Sequence, residues 1–320
     1  ILINFYLMKL NKPEFWNKKN NFFSILLLPI TFVILIFIYF RKKLIRPIKF
    51  NIPVICIGNI YIGGTGKTPT SIFIANELLK LNKNPVILRK YYKSHIDEHR
   101  LIRKNFKNLI INPSRIDGAK EAEKLNYDSI ILDDGFQDYR IKKDLNIVCF
   151  NQNQLIGNGL VMPAGPLREN LNTLKNAEIV LINGKKDNDF EKKILDINND
   201  LSIFYSYYSP KDIDRFKNKK LLAIAAIGNP DNFFLMLEQN KLNIQKKIFF
   251  PDHYEFKITD IQNLSHEAKR NNYQIIMTEK DFFKVKDFKI DNFDYLKVSL
   301  EIKEKERLLN TILKLYEKKN

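Results

Sequence analysis

A short apolar run, Val54-Ile55-Cys56-Ile57, is followed by Gly63-Gly64-Thr65-Gly66-Lys67-Thr68 and then by a helically patterned stretch at 69–81. A strand that turns through glycines into a helix commits the chain to an α/β architecture. The same arrangement makes an anion site. Glycines let backbone N–H groups close on phosphate oxygens, Lys67 adds a point charge, and the Thr68 hydroxyl is a magnesium ligand. The N-terminal dipole of the helix faces the same anion. Residues 63–68 are therefore read as holding the phosphates of a nucleotide. Their spacing departs from the strict phosphate loop, because the position five before Gly66 is Tyr61 rather than glycine.

Further apolar runs at 86–88, 109–111, 129–132, 146–150 and 179–182 alternate with amphipathic stretches such as 115–125. This pattern predicts a phosphate-loop-type, mostly parallel sheet with helices on both faces. A lysine- and asparagine-rich patch at 187–200 breaks the rhythm, and an aromatic, strand-like run follows at 202–208. A second set of elements begins at 221. Strands are expected at 221–227, 247–250 and 274–278, helices at 231–239 and 259–270, and a terminal helix from 301. The expected division is a membrane-associated segment over 1–48, a nucleotide-binding domain over 49–211 and a smaller α/β domain over 212–320.

Ahead of the glycine loop, residues 22–40 form a run of nineteen residues without a charge. As a helix the run would be about 28 Å long, close to the hydrocarbon thickness of a bilayer. Lys18 and Lys19 precede it, while Arg41, Lys42, Lys43 and Arg46 follow, so the heavier basic flank keeps the rest of the chain cytoplasmic. The length of the run and the lack of a small-residue cleavage site disfavour a signal peptide. A single span, a helix embedded in one leaflet and a buried core helix all satisfy the composition, and Pro29 would kink the helix. The numbering opens on Ile1, and Met8 offers a plausible start. The formal charge of +17 suits an anionic surface, although Lys, Asn and Ile are abundant throughout, as an AT-rich genome would produce. No compact basic motif with interleaved aromatics marks the chain for nucleic acid. Cys56 and Cys149 both fall in expected buried strands and read as core residues of a reducing compartment.

Several other residues carry chemistry. The strand at 129–132 runs into Asp133-Asp134-Gly135, and an acid at such a strand end beside a phosphate loop holds magnesium. Asp97 and Glu98 follow Arg89-Lys90-Tyr91-Tyr92 in an expected loop, where a solvated acid and a catalytic one look alike. His253, next to Asp252 past a strand, suits proton transfer or the orientation of a base, and equally a structural role. His95 and His99 are read as loop residues rather than zinc ligands. The loop from Gly157-Asn158-Gly159 to Pro166-Leu167-Arg168-Glu169 has the composition of a rigid connector or a pocket wall. Thr278-Glu279-Lys280-Asp281 fits the cap of a following helix as readily as it fits chemistry.

Taken together, these fragments resemble the tetraacyldisaccharide 4′-kinases, the lipid A kinases of Gram-negative bacteria. The resemblance covers nearly the whole chain, from Lys12-Pro13-Glu14-Phe15-Trp16 through Gly58-Asn59 and Gly63 to Pro69, to Asp133-Asp134-Gly135-Phe136-Gln137. It continues through the 157–169 loop, Ala226-Ile227-Gly228-Asn229-Pro230, Asp252-His253 and Thr278-Glu279-Lys280-Asp281. It implies transfer of the γ-phosphate of ATP to the 4′-hydroxyl of a tetraacyldisaccharide 1-phosphate, with Mg2+, at the cytoplasmic face of the bacterial inner membrane. It further implies that Lys67 binds the β- and γ-phosphates, that Thr68, Asp133 and Asp134 serve the metal, and that Asp97 is the catalytic aspartate, paired across a cleft with His253.

Two departures stand out. The family usually has Arg-Gly-Tyr-Gly where this chain has Arg89-Lys90-Tyr91-Tyr92, and a histidine where this chain has Asp138. A membrane-associated regulatory or transport ATPase would resemble its own kind by a lysine immediately before Gly63-Gly64, where this chain has Ile62. Against a kinase of small metabolites stands the apolar 22–40 run, and against a dead nucleotide site stand Lys67, Thr68, Asp133 and Asp97.

Overall fold

Parallel strands bury both of their faces, and the strand that feeds the phosphate loop does so along its whole length: every residue of Val54–Gly58 is buried. The computed structural model describes residues 13–92, 95–251, 254–289 and 291–317. In chain order the elements are α1 (Phe22–Leu44), β1 (Val54–Gly58), α2 (Lys67–Lys80), β2 (Pro85–Lys90), α3 (Ile96–Asn105) and β3 (Leu109–Asn112). Next come α4 (Arg115–Lys124), β4 (Ser129–Asp133), β5 (Leu145–Asn151), β6 (Ile179–Asn183), α5 (Asn188–Leu195) and β7 (Ser202–Pro210). The chain continues through β8 (Leu221–Ala225), α6 (Pro230–Gln239), β9 (Ile244–Phe249), α7 (Ile258–Asn271) and β10 (Gln274–Thr278). It closes with α8 (Glu279–Val285), β11 (Phe293–Leu296), β12 (Val298–Ile302) and α9 (Lys305–Glu317).

Eight strands form the larger sheet, in the order β12-β7-β6-β5-β1-β4-β2-β3. All pair in parallel except β12, which runs antiparallel to β7. Alternate residues of β1 serve opposite faces. Val54 and Cys56 join a core with Ala119 and Ala122 of α4 and Phe190 and Ile194 of α5. Ile55 and Ile57 join one with Ile74 and Leu78 of α2, Ile102 of α3 and Ile312 of α9. The second sheet, β11-β10-β8-β9, is wholly parallel. It is covered by α6 on one face and by α7 and α8 on the other.

The six strands expected in the first sheet are β1 to β6, and the mostly parallel α/β class is the observed one. Four local expectations need correction. The segment expected as a loop around Asp97 is helix α3, whose acidic first turn and basic last turn both complement its dipole. The patch at 187–200 contains α5, begun by the Asp187 side chain accepting from Phe190 N and held by buried Phe190 and Ile194 four residues apart. Residues 298–302, partly expected as terminal helix, are a strand because Leu300 and Ile302 alternate inward. That strand and α9 belong to the larger sheet, with Tyr316 OH 2.6 Å from Ser129 Oγ, so the smaller sheet draws on residues 221–296 rather than on all of 212–320.

Helix α1 runs unbroken past Pro29 and ends in Arg41, Lys42 and Lys43. One narrow stripe of it meets the body of the protein. Asn158 Nδ2 donates to Ser24 Oγ (3.0 Å), Thr31 Oγ1 donates to the Val161 carbonyl (3.2 Å), and Leu35 packs on the core. The other sides are apolar and open, with Phe22 70%, Phe32 65% and Phe37 68% exposed, which excludes the buried core helix.

Both cysteines are buried, and burial pushes each thiol up to about 12. The thiols therefore stay protonated and shielded at ordinary pH. Native protein at pH 8 should show fewer than about 0.2 equivalents of thiol reactive to an aromatic disulfide reagent, rising to two on denaturation; a full equivalent in the native state would contradict this packing.

Candidate active site

The phosphate loop is built on a buried amide. Asn59, fully buried just past β1, directs Nδ2 at the Tyr61 carbonyl (2.6 Å), the Gly63 carbonyl (3.2 Å) and Thr65 Oγ1 (3.0 Å). Its own carbonyl accepts from Gln137 Nε2 at 2.8 Å. Tyr61, where a stricter loop has glycine, is buried and bridges Leu167, while Ile62 N donates to the Pro166 carbonyl at 2.9 Å. The 157–169 loop is thus the outer support of the phosphate loop. Gly66 sits at φ 90°, in the left-handed region that favours glycine, and a Cβ there would come within 3.3 Å of Asn183 Nδ2 and Tyr208 OH. Helix α2 starts at Lys67 with no acid in its first turn, leaving its positive end uncompensated.

Two charged layers follow. Lys67 Nζ lies 3.5 Å from Asp134 Oδ1, and Arg168 Nη1 lies 3.1 Å from the same oxygen. Burial pushes the Lys67 ammonium down, opposed by Asp134. Burial also pushes the Asp134 carboxyl up, but Lys67, Arg168, Arg89 and Arg115 outweigh it and hold the group well below the usual carboxylate range. Asp134 has φ 54°, and its carbonyl accepts from Arg115 Nη2 at 2.6 Å. Asp133, at the end of β4, is fully buried and accepts from Thr68 Oγ1 (3.1 Å) and Ser71 Oγ (2.9 Å). Arg89 at the end of β2 donates through Nη1 to Asp133 and to Thr68 Oγ1 (3.1 Å), and through Nη2 to Glu98. The Thr68 hydroxyl and the two carboxylates are hard oxygen donors of the kind a small divalent cation takes. Among the described residues no cluster of three or more His, Cys, Asp or Glu could hold a metal. An ion at this oxygen set would therefore be completed by phosphate and water.

Asp97 lies buried in the first turn of α3 and faces α8 of the smaller sheet. Lys280 Nζ and Lys284 Nζ are each 3.7 Å from Asp97 Oδ2, and Lys280 Nζ is 3.3 Å from Glu98 Oε1. Lys284 is itself held by Asp281 Oδ1 at 2.9 Å, and fully buried Asp281 accepts from Ala226 N (2.7 Å) and Thr278 Oγ1 (2.7 Å). Thr278 does cap α8, but the same cluster also delivers two lysines to Asp97. His99 is buried in α3 rather than in a loop, stacked on Tyr91 with ring centroids 5.9 Å apart. Burial first, then the charge of Arg89, lowers its pKa. His253, with Asp252, lies outside the described residues.

The two departures are accommodated locally. Neither Lys90 nor Tyr92 takes a positive φ. Asp138 is buried against Arg140, Nη2 at 2.7 Å and Nε at 2.9 Å, and against Arg115 at 3.4 Å, so its charge is neutralised by its own arginines.

The family described as tetraacyldisaccharide-1-P 4′-kinase matches residues 23–317. The tetraacyldisaccharide 4′-kinase of Pelagibacter ubique is 42% identical over 318 residues, covering 97% of this chain and 100% of that protein. The chain belongs to this family. The tetraacyldisaccharide 4′-kinase of Francisella philomiragia is 33% identical over 312 residues, covering 87% and 95% of the two chains. In fold, the chain is similar to LpxK from Aquifex aeolicus in complex with ATP, with a TM-score of 0.71 at 24% identity, covering 92% and 99% of the two chains.

Of the residues singled out in this member of the kinase family, Thr68, Asp133 and Asp97 lie on one chain of contacts, and their sequence neighbours Lys67 and Asp134 pair with each other beside it. Sequence reasoning missed Asn59, Arg89, Arg168, Lys280 and Lys284 as members of that network. Arg89 is opposite Asp133 in the β2–β4 register, a relation that no sequence spacing reveals.

Asp138 supplies a pH test. Burial raises its carboxyl, but hydrogen bonding to Arg140 and the charge of Arg115 bring it down to about 2 from an ordinary 3.8. A depressed carboxylate stabilises the fold above its unfolded pKa and loses that contribution as pH falls through the folded value. Wild type should therefore lose about 1–2 kcal/mol more than Asp138→Asn between about pH 4 and pH 2, allowing for screening around half-exposed Arg140. Chemical denaturation at stepped pH measures it, and parallel curves would remove Asp138 from the ledger.

Proposed function

We propose that this kinase-family chain transfers the γ-phosphate of ATP to the 4′-hydroxyl of a tetraacyldisaccharide 1-phosphate, forming the 1,4′-bisphosphate, lipid IVA. The observation that carries the reading is the path of polar contacts from Thr68 through Asp133, Arg89 and Glu98 to Lys280 and Asp97, with Lys67 paired to Asp134, the chain neighbour of Asp133. It couples a phosphate-holding loop to a buried carboxylate in one site.

The free backbone N–H groups at the start of α2 and the Lys67 ammonium hold the β- and γ-phosphates. Thr68, Asp133 and Asp134 hold Mg2+, which when bound neutralises charge on the transferring phosphoryl group. Arg168, now spread between Asp134 and Gln137, meets the same phosphates from the 157–169 loop. Asp97 orients the 4′-hydroxyl in line with the γ-phosphorus and takes its proton as the new P–O bond forms and ADP leaves. Lys280 and Lys284 fix that carboxylate in place. His253 is proposed as its partner from the smaller unit.

The substrate is a glycolipid, and α1 provides the route to it. We read α1 as an anchor at the cytoplasmic face of the inner membrane. Ser24, Thr31 and Lys42 tie it to the body along most of its length, so its open apolar sides enter one leaflet from the side rather than crossing both. The basic last turn lies at the level of acidic headgroups.

Purified protein with ATP, Mg2+ and detergent-dispersed tetraacyldisaccharide 1-phosphate should yield the bisphosphate; ATP hydrolysis with no lipid product would favour an ATPase instead. Asp97→Ala should lower kcat by about 10²- to 10⁴-fold with ATP affinity within about twofold. An equal loss of ATP binding would remove Asp97 from the base role. Phe32→Asn with Phe37→Asn leaves the docking stripe untouched and should release the protein from acidic-lipid vesicles in flotation; unchanged flotation would refute the anchor.

A further inference from the structure

Glu169, next in sequence to Arg168, is 3% exposed yet lies at the edge of the body where α1 ends. Three donors converge on it: Lys42 Nζ from α1, Tyr139 OH, and Thr173 Oγ1 at 3.1 Å. The Lys42 ammonium also sits 4.7 Å from the centre of the Tyr139 ring. Burial and the adjacent carboxylate push the Tyr139 phenol up, so its hydroxyl remains a donor. A buried carboxylate is costly to desolvate, and taking away the cation paired with it leaves that cost uncompensated. Lys42 is the cation that an ion pair supplies here. On the other side of the same peptide, Arg168 N donates to the Ile60 carbonyl (2.7 Å), and the Arg168 guanidinium reaches Asp134 and Gln137.

We infer that Lys42 is a positioning residue for phosphoryl transfer: from the membrane-facing helix it clamps Glu169, and through that residue it sets Arg168 against the phosphate site. This rests on the kinase reading above and adds a physical link between α1 and the nucleotide loop. Lys42 has the right reach because it lies on the same helical stripe as Ser24 and Thr31, the two other polar contacts that hold α1 against the body. Withdrawing the clamp frees Glu169 to move or to take Arg168 as its counter-charge, and either displaces the guanidinium from Asp134.

The test uses the full chain in detergent micelles. Lys42→Met should lower kcat/KM for ATP about tenfold and raise the equilibrium Kd for ATP at least about threefold, both read at a temperature well below the variant's own Tm, with vesicle flotation largely kept by the apolar sides of α1. Lys42→Arg should restore most of both. Because Lys42 acts through Arg168, the double variant Lys42→Met with Arg168→Gln should be no worse than Arg168→Gln alone. Tyr139→Phe, which removes one donor but keeps the ring, should give a smaller loss of the same sign, so the inference can be judged even where Lys42→Met fails to fold. Wild-type values for Tyr139→Phe and Lys42→Met, losses that multiply in the double variant, or a loss of activity matched by a loss of flotation would each overturn it. A wild-type protein that binds ATP but phosphorylates no lipid would refute the kinase reading, and the Kd series would still decide the role of Lys42.

Discussion

A carboxylate buried at the end of a central strand must be satisfied on both oxygens, and Asp133 meets that demand with three partners from two other elements. Thr68 and Ser71 come from the first turns of α2, and Arg89 comes from the end of β2. These bonds lock the start of α2 to the strand beside it. The lock sets the direction in which the α2 N-terminus and Lys67 point, and hence where phosphates can sit. Arg89 spends its other amino group on Glu98, which orients α3 and with it Asp97. The charged centre thus acts as a structural pin. It is costly to bury and strongly destabilised by the loss of any one partner.

Much of the larger sheet was legible because parallel strands buried on both faces read as short, unbroken apolar runs. The elements that escaped carry little apolar signal. Helix α3 packs through Ile102 and a face of charged residues paired with α8, so its periodicity is written in ion pairs rather than in hydrophobic residues. Helix α5 has two buried apolar residues among acids and lysines. Strand β12 looked like the start of a helix because the turn at 303–304 is marked by neither glycine nor proline. At the site, the phosphate loop and Asp133-Asp134 could be read because their chemistry is local. Arg89, Arg168 and the two lysines of α8 could not, since each joins the cluster only through strand register, the folding of the 157–169 loop or contact between the two sheets.

The apolar helix shows the same division. Its length and composition point to a membrane, but they are silent on how it meets the rest of the protein. Ser24, Thr31 and Lys42 are the informative residues, and as isolated polar positions in an apolar run they would ordinarily be passed over. Their bonds to Asn158, Val161 and Glu169 place the 157–169 loop between α1 and the phosphate loop. That loop therefore has two dependents, the apolar helix α1 and the glycine loop at 63–68. An acylated sugar acceptor and a nucleotide donor, the two substrates of this kinase family, make physical sense of such a shared support.

The contact between α3 and α8 differs in kind from the sheet cores. Lys104 bonds Glu279 (3.0 Å) and Tyr295 OH (2.6 Å), Arg100 bonds the Phe283 carbonyl (3.0 Å) and Asp287 (2.9 Å), and Lys280 spans Glu98 and Asp97. Apolar surfaces resist separation because water gains nothing from the exposed area, whereas water can replace exposed polar contacts such as Arg100–Asp287 at small net cost and can solvate the buried charges once they part. An interface made of ion pairs is suited to opening and reclosing around a ligand. Asp97 sits within it, and in this arrangement its partners are the lysines of the smaller unit. Any group approaching Asp97 must compete with those lysines for the carboxylate, so access to Asp97 and the setting of α8 are linked.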